Sequence, residues 1–167
     1  MNYFELFGLP IGFTVDATKL RAAFMEIQKN SHPDKFTQAS QELQEEALEK
    51  SAIANKAFTL LNNKELILPY VLELMGYIEK DEKYALSPTF LMEMMELNEA
   101  WTDAKSDTDQ IIITEQVKTI QNAIYIPVKA YLETSAIDML TQEAMLQIKE
   151  YYYKKKYLDR ILADFRE

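Results

Sequence analysis

The chain of 167 residues has 18 basic and 27 acidic side chains, which gives a formal charge of −9 at pH 7. This acidity disfavours nucleic acid as a partner, because a surface that binds phosphates needs an excess of cations. The chain has no cysteine and one histidine, so disulfides, thiol nucleophiles, thiolate-held metals and multi-histidine metal sites are excluded. It lacks a run of about 18 apolar residues, and no basic segment opens it. We therefore expect a cytoplasmic protein with no membrane partner.

Composition favours an all-α fold. Only three glycines and five prolines occur, whereas Ala, Leu, Glu, Lys, Gln and Met, which favour helices, are abundant. In the first half, apolar periodicity and turn residues predict helices over residues 2–7, 16–31, 40–62 and 65–75, with a loop over 33–39. The helix over 40–62 is expected to bury a stripe that begins at Leu43. The helix over 65–75 is expected to be mostly buried, with Pro69 near its first turn or at a kink.

The second half predicts a bundle of two to three antiparallel helices. A charged connector over residues 77–86 leads to a helix over 87–104, where Ser87 is the N-cap and Pro88 the first helical residue. A turn over 106–109 leads to a helix over 108–132, with a kink or break before Pro127. A last helix is expected over 138–165, and short connections make neighbouring helices antiparallel.

The most specific local motif is His32-Pro33-Asp34 between the second and third predicted helices. Alone it is weak, because a helix stop followed by an Asx-type turn has the same residues. An aromatic first helix precedes it, and a helix rich in small residues follows. This order resembles a J-domain, the module that stimulates ATP hydrolysis by DnaK-type chaperones. Proline restricts the loop, so that a carboxylate is presented to a partner arginine with little freedom to lose.

The J-domain resemblance implies a basic surface on the second helix. At about 100° per residue, Arg21 and His32 fall on one side of that helix, away from its apolar stripe, and Lys29 flanks them. The residues expected to bind the chaperone are Arg21, Lys29, His32, Pro33, Asp34 and Lys35. Ser31 departs from the family, which usually has tyrosine before the histidine.

Over nearly its full length the chain resembles the HscB (Jac) family of iron–sulfur co-chaperones. The matching residues are Asn2-Tyr3-Phe4, Leu6-Phe7-Gly8-Leu9-Pro10, His32-Pro33-Asp34-Lys35-Phe36, Ser51-Ala52, Asn55, Ala57, residues 70–76, Phe90-Leu91-Met92-Glu93, Glu96-Leu97 and Glu99. The resemblance implies a J-domain over 1–76, a connector over 77–86 and a C-terminal helical bundle over 87–167. It implies a co-chaperone without catalytic residues or cofactors.

In this family the bundle binds an IscU-type scaffold, and the J-domain delivers it to an HscA/DnaK-type ATPase. The scaffold-binding positions that match are Leu91, Met92, Met95, Glu96, Glu99, Asp103 and Tyr157, where Asp103 is shorter than the usual glutamate. Helical angles place the members of this set on the helix over 87–104 opposite its core stripe, which suits a binding patch. Leu91, Met92 and Met95 could instead pack into the bundle or under the connector.

Other functions stay open at this point. A J-domain protein that delivers a different client has the same first half. A hydrolase built on His32 lacks a second histidine or cysteine and a glycine-rich oxyanion loop. A purely structural helical protein would make the motif a coincidence. The stretch from Tyr151 to Lys156, three tyrosines then three lysines, is interpreted as a solvated, partly core-packed helix face rather than a nucleic-acid site.

Overall fold

The computed structural model describes residues 1–134 and 136–166, and those residues form helices and connections with no β-strand. This confirms the all-α prediction. The elements are α1 (Tyr3–Leu6), α2 (Ala17–Ser31), a 3₁₀ turn (Pro33–Phe36), α3 (Gln41–Leu61), α4 (Lys64–Leu74), α5 (Pro88–Asp103), α6 (Asp107–Leu132), a second 3₁₀ turn (Ile137–Met139) and α7 (Gln142–Phe165).

The chain divides into two compact units. The N-terminal unit contains Met1–Val71 together with Glu133–Met139, and the C-terminal unit contains Leu72–Leu132 and Leu140–Glu167. The returning segment joins the N-terminal unit through a backbone bond, in which the Ile137 N–H donates to the Ile11 carbonyl at 2.9 Å. Ile137 is buried, so this segment contributes an apolar side chain as well as the bond.

An antiparallel pair of helices, α2 and α3, forms the frame of the N-terminal unit. Phe24 stacks on Phe58 with ring centroids 4.3 Å apart. One turn further along α2, the Gln28 side chain bonds to Ser51 and Asn55, which precede Phe58 in α3. Because the partners move backward along α3 as α2 advances, the two helices run in opposite directions. The predicted helix pair is therefore present, with its connection at the His32-Pro33-Asp34 turn.

Aromatic packing attaches α1 to α4. Phe4 is fully buried, and the Tyr3 ring stacks on Tyr70 at 5.1 Å. The Tyr3 backbone N–H also donates to the Tyr70 hydroxyl at 2.9 Å, and burial raises the pKa of that hydroxyl. Ile67, one turn before Tyr70, is 2% exposed. The short first helix is thus held mainly by tertiary contacts, since four residues alone would not form a stable helix.

The C-terminal unit is a three-helix bundle. Its core contains Phe90, Met94, Leu97, Ile113, Val117 and Leu158, contributed by α5, α6 and α7. Phe90 meets Tyr157 edge-on at 6.3 Å, and further along both helices Trp101 stacks on Phe165 at 4.5 Å. These two contacts make α5 and α7 parallel, as the first and third helices of an up-down-up bundle must be.

The residues predicted to begin and end helices do so in the structure. Asn2, Asp16 and Ser87 are N-caps whose side-chain oxygens accept backbone N–H groups of the first turn. Gly8 and Gly76 follow helix ends with φ of 65° and 80°. At each end the N–H of the glycine and the N–H of the next residue donate the two reversed bonds that close the helix, and glycine adopts the left-handed conformation this requires without strain.

Three predicted boundaries were wrong. The region over 33–39 is not a plain loop, because Pro33–Phe36 form a 3₁₀ turn. The turn before α6 is shorter than predicted, because the Ser106 hydroxyl accepts the Asp109 N–H at 3.1 Å and the helix already begins at Asp107. The last helix begins at Gln142, because the Thr141 hydroxyl caps it by accepting the Ala144 N–H at 3.1 Å.

Three further predictions need correction, one about the α6 backbone and two about packing. Helix α6 continues through Pro127 without a break. Proline costs one backbone hydrogen bond there, but Val128, next to it, is 2% exposed, and burial against the bundle offsets the loss. Leu43 is exposed, so the buried stripe of α3 begins one turn later, at Ala47. In α4, Leu66 and Leu74 are exposed, so this helix buries one face rather than most of its surface.

The connector over 77–86 is attached to α7 of the same unit by a polar and aromatic clamp. Glu82 accepts bonds from the Lys149 ammonium at 2.9 Å and the Tyr153 hydroxyl at 2.5 Å. Tyr84 stacks on Tyr153 at 4.5 Å with rings 6° from parallel. The bond from Tyr153, followed by that from Lys149, lowers the pKa of Glu82. The pKa of Tyr153 is raised by burial and by the same bond.

We expect Glu82→Gln to lower the melting temperature at neutral pH by a few degrees. The lowered pKa of Glu82 means that its contribution is complete above the ordinary carboxyl pKa and is lost as pH falls through the folded-state value. The difference between wild type and variant therefore shrinks between pH 7 and pH 3, as thermal unfolding followed by circular dichroism will show. Glu79→Gln, in the same connector but exposed, is the control. Equal effects of both substitutions at every pH would contradict a role for the clamp.

Candidate chaperone and scaffold surfaces

The His32-Pro33-Asp34 turn is a rigid, exposed projection at the end of α2. His32 ends that helix and caps the 3₁₀ turn, with its Nδ1 accepting the Asp34 N–H at 3.2 Å. The same nitrogen lies 3.5 Å from an Asp34 carboxylate oxygen. The side chains of His32 and Asp34 are 59% and 88% exposed. The backbone is thus fixed while both functional groups stay open to a partner.

The residue before this turn is an interior one. Ser31, which stands where J-domains usually have tyrosine, is 2% exposed. The described part of the chain has no buried side-chain polar atom without a hydrogen-bond partner. The position therefore packs inside the unit even with a small side chain, and the stacked Phe24 and Phe58 supply aromatic packing elsewhere between α2 and α3.

Three exposed cations lie on α2 and in the turn that follows it. Arg21, Lys29 and Lys35 are all exposed, and within residues 1–134 and 136–166 none of them has a carboxylate oxygen within 4 Å. Met25, on the same side of α2, is 57% exposed. The predicted chaperone-binding residues therefore share one unit and are open to solvent, with cations free to meet an acidic partner.

The outer side of α5 exposes apolar residues that the bundle does not bury. Met92 and Met95 are each 61% exposed, whereas Phe90, Met94 and Leu97 of the same helix are buried. Leu91 lies between these extremes. The sequence left open whether these residues are exposed or packed into the bundle. Both methionines are exposed, and Leu91 is partly packed.

Acidic residues flank these methionines. Glu96, Glu99 and Asp103 are exposed, and no cation among the residues described lies within 4 Å of their carboxylates. Helix α5 contains no lysine or arginine at all. We call Leu91, Met92, Met95, Glu96, Glu99 and Asp103 the α5 face. At 1.5 Å per residue it extends about 18 Å along the helix.

Tyr157 belongs to α7 but lies beside the beginning of α5, where its ring meets Phe90 edge-on. It is partly buried and packs against the core of the bundle. Its position is therefore compatible with both a structural role and a place at the edge of the α5 face.

The stretch from Tyr151 to Lys156 is a partly packed helix face, in line with the interpretation of a solvated, partly core-packed helix. Tyr151 is buried, and Lys154 lies over the Phe90 ring at 5.4 Å while pairing with Glu150. Lys155 pairs with Asp159 at 2.8 Å. These lysines are neutralised or packed rather than presented together to a polyanion.

Two kinds of feature are absent from the residues that the structure describes. No helix there combines the length and apolarity needed to cross a membrane. Nor do three or more histidine, aspartate or glutamate side chains converge there in a group able to hold a metal ion.

Comparison with known proteins decides the family. Residues 86–166 match the family model described as the HSCB C-terminal oligomerisation domain. Over 166 residues the chain is 33% identical to the co-chaperone protein HscB homolog of Aliivibrio salmonicida (strain LFI1238), an alignment that covers 96% of this chain and 92% of the relative. The chain belongs to the HscB family. The predicted resemblance is confirmed, and with it the function of a co-chaperone for iron–sulfur cluster biogenesis.

Solved HscB structures share the fold. Chaperone HscB from Vibrio cholerae superposes with a TM-score of 0.67 at 30% identity, covering 99% of this chain and 96% of the other. Human co-chaperone protein HscB gives a TM-score of 0.73 at 29% identity, covering 99% of this chain and 81% of the other. By name, HscB is a family of co-chaperones rather than of enzymes.

Proposed function

We propose that this HscB protein brings an IscU-type scaffold to an HscA/DnaK-type chaperone in the cytoplasm and stimulates the chaperone's ATPase. The observation that carries the proposal is that one chain presents two exposed surfaces of opposite charge. One is the cationic turn region of the N-terminal unit, and the other is the α5 face, which combines exposed methionines with unpaired acids. No residue of the protein takes part in covalent chemistry, and the iron–sulfur cluster is bound by the scaffold rather than by this protein.

The chaperone contact is assigned to Arg21, Lys29, His32, Pro33, Asp34 and Lys35. Asp34 offers a carboxylate that is 88% exposed, a suitable partner for an arginine of the ATPase. The cations around it steer the acidic surface of a partner toward the turn. Because the 3₁₀ turn is already formed, little conformational entropy is lost on docking.

The scaffold contact is assigned to the α5 face together with Tyr157. Exposed methionines adapt to an apolar partner surface, since their side chains are flexible and polarizable. The surrounding carboxylates favour a partner with basic residues and speed its approach. Residues 1–76 then act as the J-domain and 87–167, apart from the segment 133–139 that belongs to the N-terminal unit, act as the scaffold-binding bundle, with 77–86 as their connector.

The test is ATP hydrolysis by the chaperone with this protein added, in the presence and absence of the scaffold. We expect stimulation by the protein alone and a several-fold larger stimulation when both are present. Stimulation that is the same with and without the scaffold would support the J-domain role but indicate a different client protein. No stimulation by any resident DnaK-type chaperone would contradict the proposal, and the His32-Pro33-Asp34 segment would then be only a turn.

A further inference from the structure

A groove of about 480 Å³ lies between α5 and α6 in the C-terminal unit. Its floor is apolar and consists of Leu97, Ala100 and Ile120, which pack on or against the bundle core. The groove is on the α6 side of α5, whereas Tyr157 is on α7. It shares only Glu96 with the α5 face, so it is a separate surface next to that face.

The rim of the groove is polar and carries uncompensated negative charge. Glu93 and Glu96 line the α5 side, and Gln116 and Thr119 line the α6 side, all four exposed. Two glutamates three residues apart on a helix repel each other. In the described ranges 1–134 and 136–166, no lysine or arginine nitrogen comes within 4 Å of either carboxylate.

We propose that this groove binds a lysine or arginine side chain of the scaffold, an inference that rests on the proposed function. The aliphatic stem lies on the apolar floor, as long basic side chains do on apolar surfaces. The cationic head lies between the two glutamates and the amide oxygen of Gln116. The apolar floor matches the aliphatic stem and the acidic rim matches the cationic head. An apolar or acidic side chain would leave the rim carboxylates without a partner of opposite charge.

This assignment extends the scaffold contact from α5 onto α6. None of the residues of the α5 face belongs to α6, whereas Gln116 and Thr119 of α6 line the groove. The Thr119 hydroxyl bonds within its own helix, where it donates to the Glu115 carbonyl at 3.1 Å. Its side chain can therefore be replaced without leaving a buried polar group unpaired.

Thr119→Arg tests the proposal by placing a guanidinium at the groove from within the chain. We expect it to occupy the site, weaken scaffold binding about tenfold and reduce the dependence of affinity on salt. Thr114→Arg is the matched control, because Thr114 is exposed on the same helix and makes the same bond, to the Gln110 carbonyl at 2.9 Å. Thr114 does not line the groove, so its variant is expected to bind as the wild type does.

Glu93→Gln is a second, independent variant, which removes charge but keeps shape. We expect it to lower affinity about threefold at low salt and to have no effect at high salt. Titration calorimetry with the scaffold, together with a melting curve for each variant, gives the required values. If Thr119→Arg and Thr114→Arg bind alike while a Met95→Ser variant binds poorly, the groove proposal is overturned and the proposed function stands. If the wild type does not bind the scaffold, both are overturned.

Discussion

Replacing Asp34 by asparagine will reduce stimulation of the chaperone ATPase to the basal rate and leave the fold and scaffold binding intact. Asparagine has the same size but lacks the charge that pairs with an arginine, and a hydrogen bond to a charged group contributes about 1.5–3 kcal/mol. Its loss lowers affinity for the chaperone by about 10- to 150-fold. The Asp34 side chain is 88% exposed, so the fold does not depend on it.

Steady-state ATP hydrolysis at increasing co-chaperone concentration measures this effect. Asp164→Asn makes the same chemical change at another exposed aspartate, near the end of α7, and is expected to stimulate normally. Melting curves of both variants are expected to overlay that of the wild type, since exposed substitutions cost little. Full stimulation by the Asp34→Asn protein would show that the turn does not stimulate the ATPase through the Asp34 carboxylate.

The sequence predicted those features of the fold that depend on near neighbours in the chain. Asp16 and Ser87 cap helices because a side-chain oxygen and a backbone N–H two or three residues away are enough. Gly76 ends α4 because only local backbone conformation is required. The His32-Pro33-Asp34 turn followed from the same local rules, although its 3₁₀ geometry did not.

Features that depend on distant residues could not be predicted. Pro127 stands inside a continuous helix because the bundle buries Val128 beside it, which no local rule contains. The clamp joins Glu82 to Lys149 and Tyr153, 67 and 71 residues away. Leu43 is exposed because α3 begins before the part of the helix that α2 covers, and helical periodicity carries no information on where a neighbour ends.

The candidate surfaces show the same division. Helical angles alone separated the core stripe of α5 from its outer side, and Met94 and Met95 do differ as that separation requires. Whether the outer side was covered by another element depended on the tertiary arrangement. Glu93 was overlooked for the same reason, since only the position of α6 makes it part of a groove. Its spacing of three residues from Glu96 was the available signal.

Replacing both Met92 and Met95 by serine will weaken scaffold binding by at least about 30-fold. Each side chain is 61% exposed in the free protein, and burying that much of a methionine contributes about 1 kcal/mol or more. The loss of both contacts therefore costs about 2 kcal/mol or more of binding free energy, which corresponds to the stated change. Titration calorimetry with the scaffold measures it.

The matched control is the double substitution Ile111→Ser and Ile126→Ser in α6. These isoleucines are 63% and 67% exposed, so the same apolar area is removed from the same unit at positions outside the α5 face. If both double variants lose affinity equally, the binding depends on general surface hydrophobicity rather than on this face. If only the methionine variant loses affinity, while its ATPase stimulation without scaffold is unchanged, the two surfaces act independently. In that case scaffold binding explains why methionines are exposed next to unpaired acids, since they would become buried when the scaffold binds.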